Sequence, residues 1–558
     1  MGFGNQGFWA KIALTASVHL FKPLKIVLIA TGCDNVQLEN TERKSGIMDT
    51  QAGQTTSVWM ATEDVLETRM LTESLVADVC IVGAGIAGLS TAYCLAREGR
   101  SVIVLDDGRI GGGMTQRTTA HLSNVIDDGY AAIERLHGEE GAALAAGSHT
   151  AAIDRIERIT ADEDINCDFE RLDGYLFAAP GGEDALEREL LAAQRAGMTS
   201  VERHARAPVI SLTSGPCLRF SRQAQCHPLR YLTGLVRALD RRGGRVYTAT
   251  HVAKVEGGSQ ARVETDQGAV VTADAVVVAT NTPIIDMVAI HTKQAAYTTY
   301  VIGARVPRGT VAKALYWDME DPYHYVRVQP ASSGDVPHDL LIVGGEDHKT
   351  GQADDGAARH RKLEAWARER FPMIEQVEYR WSGQVMEPVD GIAFIGRDPG
   401  NADNVYIATG DSGMGMTHGT IAGMLITDLI MGRKCSWETL YDPSRKTLRA
   451  AGTYIEETLN MASQYADWVT AGEVGSPDEI PRDSGAVIRR GLKKVAVYRD
   501  NSGTLHERSA VCTHLGCIVA WNQTEKTWDC PCHGSRFDKM GTVINGPANT
   551  DLTQVGDD

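Results

Sequence analysis

Two short runs near the C-terminal end hold residues whose types and spacing could do chemistry. They are Cys512-Thr513-His514 and Cys530-Pro531-Cys532-His533, with 15 residues between His514 and Cys530. Each run offers one thiol and one imidazole at ligand spacing. Two thiolates and two imidazoles suit a 2Fe–2S centre in which one iron is held by sulfur and the other by nitrogen. Cys512, His514, Cys530 and His533 are the expected ligands. Zinc is the rival for such a set, but zinc sites pair C-x2–4-C with H-x3–5-H, whereas here each run mixes its donors. Cys517 and Cys532 are left over from ligation. Cys80, Cys94, Cys167, Cys217, Cys226 and Cys435 show no ligand spacing and read as small buried thiols of a reducing compartment.

A second candidate is Gly83-Ala84-Gly85-Ile86-Ala87-Gly88. A GxGxxG run alone means little. Here it follows the apolar Val79-Cys80-Ile81-Val82 and opens an Ala/Leu-rich helix predicted over 86–98, the context a dinucleotide site requires. Gly83 permits the tight turn, Gly85 lets backbone approach a pyrophosphate, and Gly88 lets helix and strand pack closely. The helix start at Ile86 and Ala87 turns N–H groups and a partial positive charge toward the phosphates. Asp106 ends the next predicted strand, where a carboxylate can bond the ribose hydroxyls and disfavours a 2′-phosphate.

The residues beyond Asp106 decide between FAD and NAD. Gly111-Gly112-Gly113-Met114-Thr115 resembles the second phosphate-and-ribityl loop of the D-amino-acid oxidase and glycine oxidase superfamily. Ala275-Val276-Val277-Val278-Ala279-Thr280-Asn281 and Asn404-Val405-Tyr406-Ile407-Ala408-Thr409-Gly410-Asp411-Ser412-Gly413-Met414-Gly415-Met416 resemble two further parts of it, the latter a strand, turn and helix start lying against the flavin ring in that family. The resemblance covers about residues 77–432. It implies FAD, held through Gly83, Gly85, Ile86, Ala87, Gly88, Asp106, Gly113, Thr115, Thr280, Gly410, Gly413 and Met414. It also implies oxidation of a C–N bond by hydride transfer, with positioning groups rather than an acid–base dyad. Arg327, in His324-Tyr325-Val326-Arg327-Val328, sits on the sheet that would face the flavin. Its guanidinium could clamp a substrate carboxylate bidentately, with Tyr325 beside it. His121 reads as a buried histidine near the ring.

The C-terminal cluster resembles the Rieske proteins of cytochrome bc complexes. That resemblance implies a Cys517–Cys532 disulfide between the two ligand loops. It also implies that Ser535 donates to a cluster sulfide, and it puts Phe537 where the high-potential centres carry a tyrosine. A donor there raises the potential by stabilising the reduced state, so Phe537 predicts a lower one. The order of the two modules resembles a bacterial family of FAD-dependent oxidoreductases with a C-terminal Rieske domain, over nearly everything after Val58.

These residues need elements to hold them. From 77 to 432 short β-branched runs alternate with helical stretches, the signature of an α/β architecture. The expected fold is a Rossmann-type FAD-binding domain with an inserted antiparallel-sheet substrate domain, plus a small all-β C-terminal Rieske domain. Strands are expected at 77–82, 101–105, 245–248, 252–255, 261–265, 269–272 and 275–279, then at 297–305, 323–329 and 340–344 in the second sheet, and at 485–489 and 493–499 in the last domain; 364–370 reads as helix. The expected division is an N-terminal extension, 1–76, poorly ordered in part; the oxidoreductase, 77–440; a helical linker, 441–470; and the Rieske domain, 471–558, the two domains folding separately.

The first 47 residues carry apolar runs at 12–21 and 26–32, split by Lys22, Pro23 and Lys25. Neither reaches the 18 or so residues of a membrane-spanning helix, so no transmembrane segment is expected. The second run ends just before Cys33 and faintly resembles a lipoprotein cleavage site, with Ala30 where Leu is preferred. The favoured reading is an extension from an upstream start codon, with Met48 or Met60 the beginning and a cytoplasmic location; the alternative is an export or anchoring signal. A net charge of −17 over 558 residues disfavours nucleic acid and anionic membranes as general partners. The first functional reading is a dehydrogenase. A small amine or amino acid gives a hydride to FAD, and electrons leave singly through the cluster to an acceptor protein or quinone. The alternatives are an oxidase using O2 with the cluster as sensor or structural element, and a non-catalytic electron-transfer protein.

Overall fold

The computed structural model describes residues 53–208, 215–285, 290–331, 337–446 and 448–555. The apolar runs of the first 47 residues and the start at Met48 lie outside them. The dinucleotide sheet runs in the order Phe394–Arg397, Val405–Thr409, Val270–Val278, Leu75–Val82, Val102–Leu105, Arg245–Tyr247. Its four inner pairings are parallel, and Phe394–Arg397 joins antiparallel at the edge. Helices Ile86–Arg97 and Gly415–Ile430 pack against each other over it. They come close because a Cβ on Gly423 would stand 2.8 Å from the Ser90 carbonyl carbon. Gly415–Ile430 is apolar nearly all round, as a helix covered on every side must be.

The expected strands 269–272 and 275–279 are one strand, Val270–Val278. Ala273-Asp274 reads as a break, but Asp274 only points to solvent while the backbone runs on. The first half of this strand pairs antiparallel with Ala261–Thr265, and its second half lies between two parallel neighbours. Apolar residues on both faces of that second half follow from the change of company.

The second sheet is ordered Val377–Pro388, Gln294–Pro307, His338–Lys349, His324–Gln329, Leu315–Asp318, Glu170–Phe177, Cys217–Gln225, His121–Leu122, all antiparallel except the pairing of Leu315–Asp318 with Glu170–Phe177. Helix Gly356–Arg370 packs on it, starting eight residues before the expected 364. The C-terminal domain has a three-stranded sheet, Ser484–Arg490, Lys493–Arg499 and Leu505–Ser509. Its four-stranded sheet comprises Ala520–Asn522, Thr527–Asp529, Arg536–Asp538 and Val543–Asn545. Trp521, Trp528, Tyr498 and Phe537 fill the core beneath both sets of ligand-loop residues. Helix Ala451–Gln464 buries none of its residues and continues as a 3-10 turn, Tyr465–Trp468. Among the described residues no helix is long and apolar enough to cross a membrane.

Residues 53–59, expected to belong to a partly ordered extension, are built into the molecule. Ser57 and Trp59 are fully buried. Ser57 Oγ donates to the Gln116 carbonyl at 2.6 Å and Trp59 Nε1 to the Thr118 carbonyl at 2.6 Å. A beginning at Met60 would omit all of these contacts.

Candidate active site and iron–sulfur centre

A long cavity starts at the C-terminal ends of the parallel strands. Gly83, Gly85, Ile86, Ala87, Asp106, Gly113, Thr115, Thr280, Gly413 and Met414 all line it. Gly83 takes φ +108°, and a Cβ there would meet the Ala279 carbonyl oxygen at 2.4 Å, so only glycine fits. A Cβ on Gly88 would lie 1.9 Å from the Gly83 oxygen. Gly88 is therefore a packing residue behind the cavity, and Gly410 likewise forms the turn without lining the wall. Around Gly85 only Thr115 Oγ1 comes within 4 Å of a built Cβ, and around Gly113 nothing does. This is a cradle a side chain would fill, and it fits a pyrophosphate. Asp106 accepts from the N–H of Ala84 at 2.6 Å and of Gly108 at 2.8 Å, one per carboxylate oxygen, leaving lone pairs on both for a ribose. Burial, then Asp107 beside it, pushes its carboxyl up to about 7.

The cluster loops bring their four expected ligands together. Cys512, Cys530, His514 and His533 are all buried, and the two imidazole rings stand 4.9 Å apart. The Cys512 thiol meets the Cys530 thiol, and Ser535 and the backbone N–H groups of His514 and Leu515 also face it. His533 Nε2 is buried with no partner. Two thiols, two imidazoles and convergent donors fit a Rieske centre. Cys517 and Cys532 form a disulfide with Cα atoms 6.4 Å apart. Phe537 is fully buried.

The two sites adjoin. The 543–549 stretch of the C-terminal domain forms part of the wall of the dinucleotide cavity. Asn549 Nδ2 donates to the Val252 carbonyl at 3.0 Å. Toward the inner end, Gln384 lines the cavity, donates from Nε2 to the Gly534 carbonyl at 2.9 Å, and accepts from Asn545. His291, from the flavin domain, lies edge-on at 5.0 Å to the His514 ring and 6.3 Å from that of His533. On the other side, Tyr465 and Trp468 donate to the carbonyls of Leu515 and Gly516, each at 2.9 Å. The seam is closed by Arg117 and Glu525, 3.4 Å apart and both fully buried. Thr55 and Ser382 bond this pair. Burial alone would raise the Glu525 carboxyl; Arg117 and Arg536 outweigh it and hold it below the usual range.

At the inner end the structure separates the two residues expected to act on substrate. Tyr325 lines the cavity, its hydroxyl 2.8 Å from Thr299 Oγ1. Arg327 does not. Its guanidinium is fully buried and donates to the carbonyls of Thr119, Ala120 and Cys226 and to Gln329 Oε1, with the Trp59 ring 5.2 Å away. It fastens the 118–121 segment to the sheet rather than offering a clamp. Strand alternation puts Tyr325 and Arg327 on one face, as read, but the cavity ends between them. His121 lines the wall; burial, then Arg327, pushes its pKa down to about 3, so it is neutral. Sequence reasoning missed Asp127, Trp317, Tyr323, Gln384 and the 543–549 wall. Asp411 lies within the Asn404–Met416 segment, but nothing local marks it as a wall residue.

Comparison with known proteins agrees with this geometry. The family model described as FAD dependent oxidoreductase matches residues 78–429, and that of the Rieske [2Fe-2S] domain matches 470–556. A Bacillus subtilis protein described as a Rieske 2Fe-2S iron-sulfur protein, YhfW, is 30% identical over 503 residues, covering 89% of this chain and 97% of its own. Gamma-glutamylputrescine oxidoreductase of Escherichia coli is 28% identical, over 65% of this chain and 85% of that protein. The crystal structure of glycine oxidase from Geobacillus kaustophilus shares the fold, with a TM-score of 0.56 and 18% identity over 67% of this chain and 100% of that one.

Proposed function

Because the chain belongs to the FAD-dependent oxidoreductases of the D-amino-acid oxidase type and carries a C-terminal Rieske domain, we propose that it is a dehydrogenase with an internal outlet for electrons. Its cofactors are FAD and a 2Fe–2S cluster. The substrate is a small amine or amino acid, in keeping with the printed names of its relatives. Bound FAD supplies a two-electron acceptor for hydride, and the cluster a one-electron outlet toward a protein or quinone.

The observation that carries this reading is the shared wall. The cluster domain forms one side of the flavin cavity, and Gln384 touches both the cavity and the carbonyl of Gly534, next to His533 in the second ligand loop. A cluster used only as ballast or sensor would need no such contact. Cys512, His514, Cys530 and His533 hold the cluster in this reading, and the cavity-lining glycines with Asp106 and Thr115 hold FAD. Tyr325 positions substrate, with Thr299 fixing its hydroxyl. Both imidazoles are covered, at 7% and 3% exposure, so the histidine edge serves the flavin side. The division into an oxidoreductase at 77–440, a helical linker at 441–470 and a Rieske domain at 471–558 is supported by the two family matches, 78–429 and 470–556. A cytoplasmic location is supported by six free thiols outside the cluster loops among the described residues.

The test is Cys530→Ser. Substrate should still bleach the flavin anaerobically, while the EPR signal of a reduced Rieske centre and turnover with a one-electron acceptor are both lost. Full acceptor turnover in the cluster-free protein would end the outlet reading and leave the oxidase.

A further inference from the structure

The inner end of the cavity holds carboxylates and aromatic rings, and nothing free to hold an anion. Among the described residues its wall includes one arginine and no lysine. That arginine, Arg117, is engaged with Glu525, Thr55 and Ser382. His121 and His418 are held neutral, at about 3 and about 4, chiefly by burial. His251, whose pKa is raised, is paired with Asp107 beside the Asp106 end of the cavity, so at the inner end a substrate carboxylate would find no unpaired cation among the described residues.

A cation would find several partners. Asp127 and Asp411 are on the wall. Beside the Asp127 carboxylate stand the Tyr323 hydroxyl and the carboxylates of Asp128, Asp347 and Asp411. Asp411 Oδ1 accepts from the Met386 N–H at 3.2 Å, and the residue's own backbone N–H also faces the carboxylate. Behind Tyr323, Asp347 Oδ1 is buried without a partner, and Glu387 accepts from Ser412 next to Asp411. Arg359, a cation that acts on Asp347, is bonded to Asp355 and to the carbonyls of Glu346 and Asp347. Burial raises Asp127 to about 7 and Asp411 to about 6, and neighbouring carboxylates add to the shift of Asp127. Such a group is costly to bury unless something neutralises it.

The aromatic residues point to the same ligand independently. Tyr323 and Tyr325 stand 5.7 Å apart, His121 lies 5.8 Å from both Tyr325 and Trp317, and all four line the cavity. Ring faces attract cations and repel anions.

We propose that the substrate is an alkylamine that enters as a cation and carries no carboxylate beside the reacting nitrogen, and that Asp127 and Asp411 hold its ammonium group among Trp317, Tyr323 and Tyr325. This rests on the amine-dehydrogenase reading and narrows it. Either carboxylate can take one proton from the ammonium, leaving a neutral amine and a neutral carboxyl, so the charge of both is removed in one transfer.

The test uses the full-length, FAD-loaded protein under anaerobic conditions. Perturbation of the flavin absorbance is titrated with 1,4-diaminobutane against ornithine, which is the same diamine with a carboxylate added, and with n-butylamine against butanoate. The amines should bind at least tenfold more tightly than their carboxylated or anionic counterparts. Asp127→Asn and Asp411→Asn should each weaken amine binding at least tenfold, with flavin content and cluster EPR signal retained. Equal or tighter binding of ornithine or butanoate, no perturbation by either amine, or unchanged amine affinity in both variants overturns the cation pocket. Amines that bind as expected and never reduce the flavin would leave the pocket standing and overturn the dehydrogenase reading instead.

Discussion

At the seam between the two cofactor domains, Arg117 and Glu525 are buried together with hydroxyls and carbonyls closing around them. At the inner end of the cavity, Asp127, Asp347, Asp411 and Glu387 are gathered with mostly hydroxyls and backbone N–H groups for company. Both clusters remove charge from bulk water. The first balances it within the protein, with both guanidinium NH groups of Arg117 and both carboxylate oxygens of Glu525 bonded. The second leaves it unbalanced beside open space, with carboxyl groups pushed toward neutral pH. A buried ion pair that is balanced on site holds parts together, whereas buried groups with strongly raised pKa values in a cleft mark a place where something else completes the charge.

The largest effect should come from unbalancing the seam. Arg117→Met removes the cation in contact with Glu525 and leaves only Arg536, already bonded to Asp529, near it; breaking a buried pair costs about 3–5 kcal/mol. Urea unfolding of the holoprotein should show that loss. Adding Glu525→Leu to Arg117→Met should recover most of it, because the stranded charge is then gone. A double variant as unstable as the single would mean that packing at the seam, and not charge balance, sets the cost. Next in size is Ser382→Ala, which removes a hydroxyl that donates to Glu525. Hydrogen bonds to charged groups contribute about 1.5–3 kcal/mol, and the same unfolding measurement should show a loss in that range.

The contrast between the clusters also marks what sequence could reveal. The glycine cradle and the candidate set of two thiols and two imidazoles were legible because each is dictated within a few consecutive residues. A turn needing φ +108° at Gly83 and a helix start must be neighbours in the chain, and so must Cys512 and His514. The Cys517–Cys532 disulfide followed from the resemblance. The seam was not legible, since Thr55, Arg117, Ser382 and Glu525 come from four distant places and none is unusual where it stands. Separate folding of the domains was the natural expectation from a linker-like composition. The structure instead lays residues 53–59 and 543–549 across the division. Arg327 shows the same limit at one residue. Alternation along His324–Gln329 fixes its face of the sheet, but not how far along that face the cavity extends, and the carbonyls that occupy its guanidinium belong to residues about 100 to 200 positions away.

The smallest effect belongs to the pocket and has the opposite sign. Asp411 has its carboxyl raised from 3.8 to about 6, by burial. The folded protein therefore keeps its proton to higher pH than the unfolded chain does. Where the native state binds more protons, stability falls as pH rises. Asp411 should thus be harmless below about pH 4, become progressively destabilising between about 4 and 6, and stay so above. Asp411→Asn removes the titration, so its stability curve should be flatter than that of the native protein across this window. Above pH 6 the variant should be the more stable of the two, by on the order of 1 kcal/mol, since part of the shift is offset by solvent reaching the cavity. Arg117→Met should lose stability at every pH above the ionisation of Glu525. Chemical unfolding of both variants from pH 4 to 8 separates the two behaviours. An Asp411→Asn protein that is less stable than native at pH 8 would place Asp411 with the structural pairs of the seam rather than with the groups that await a ligand.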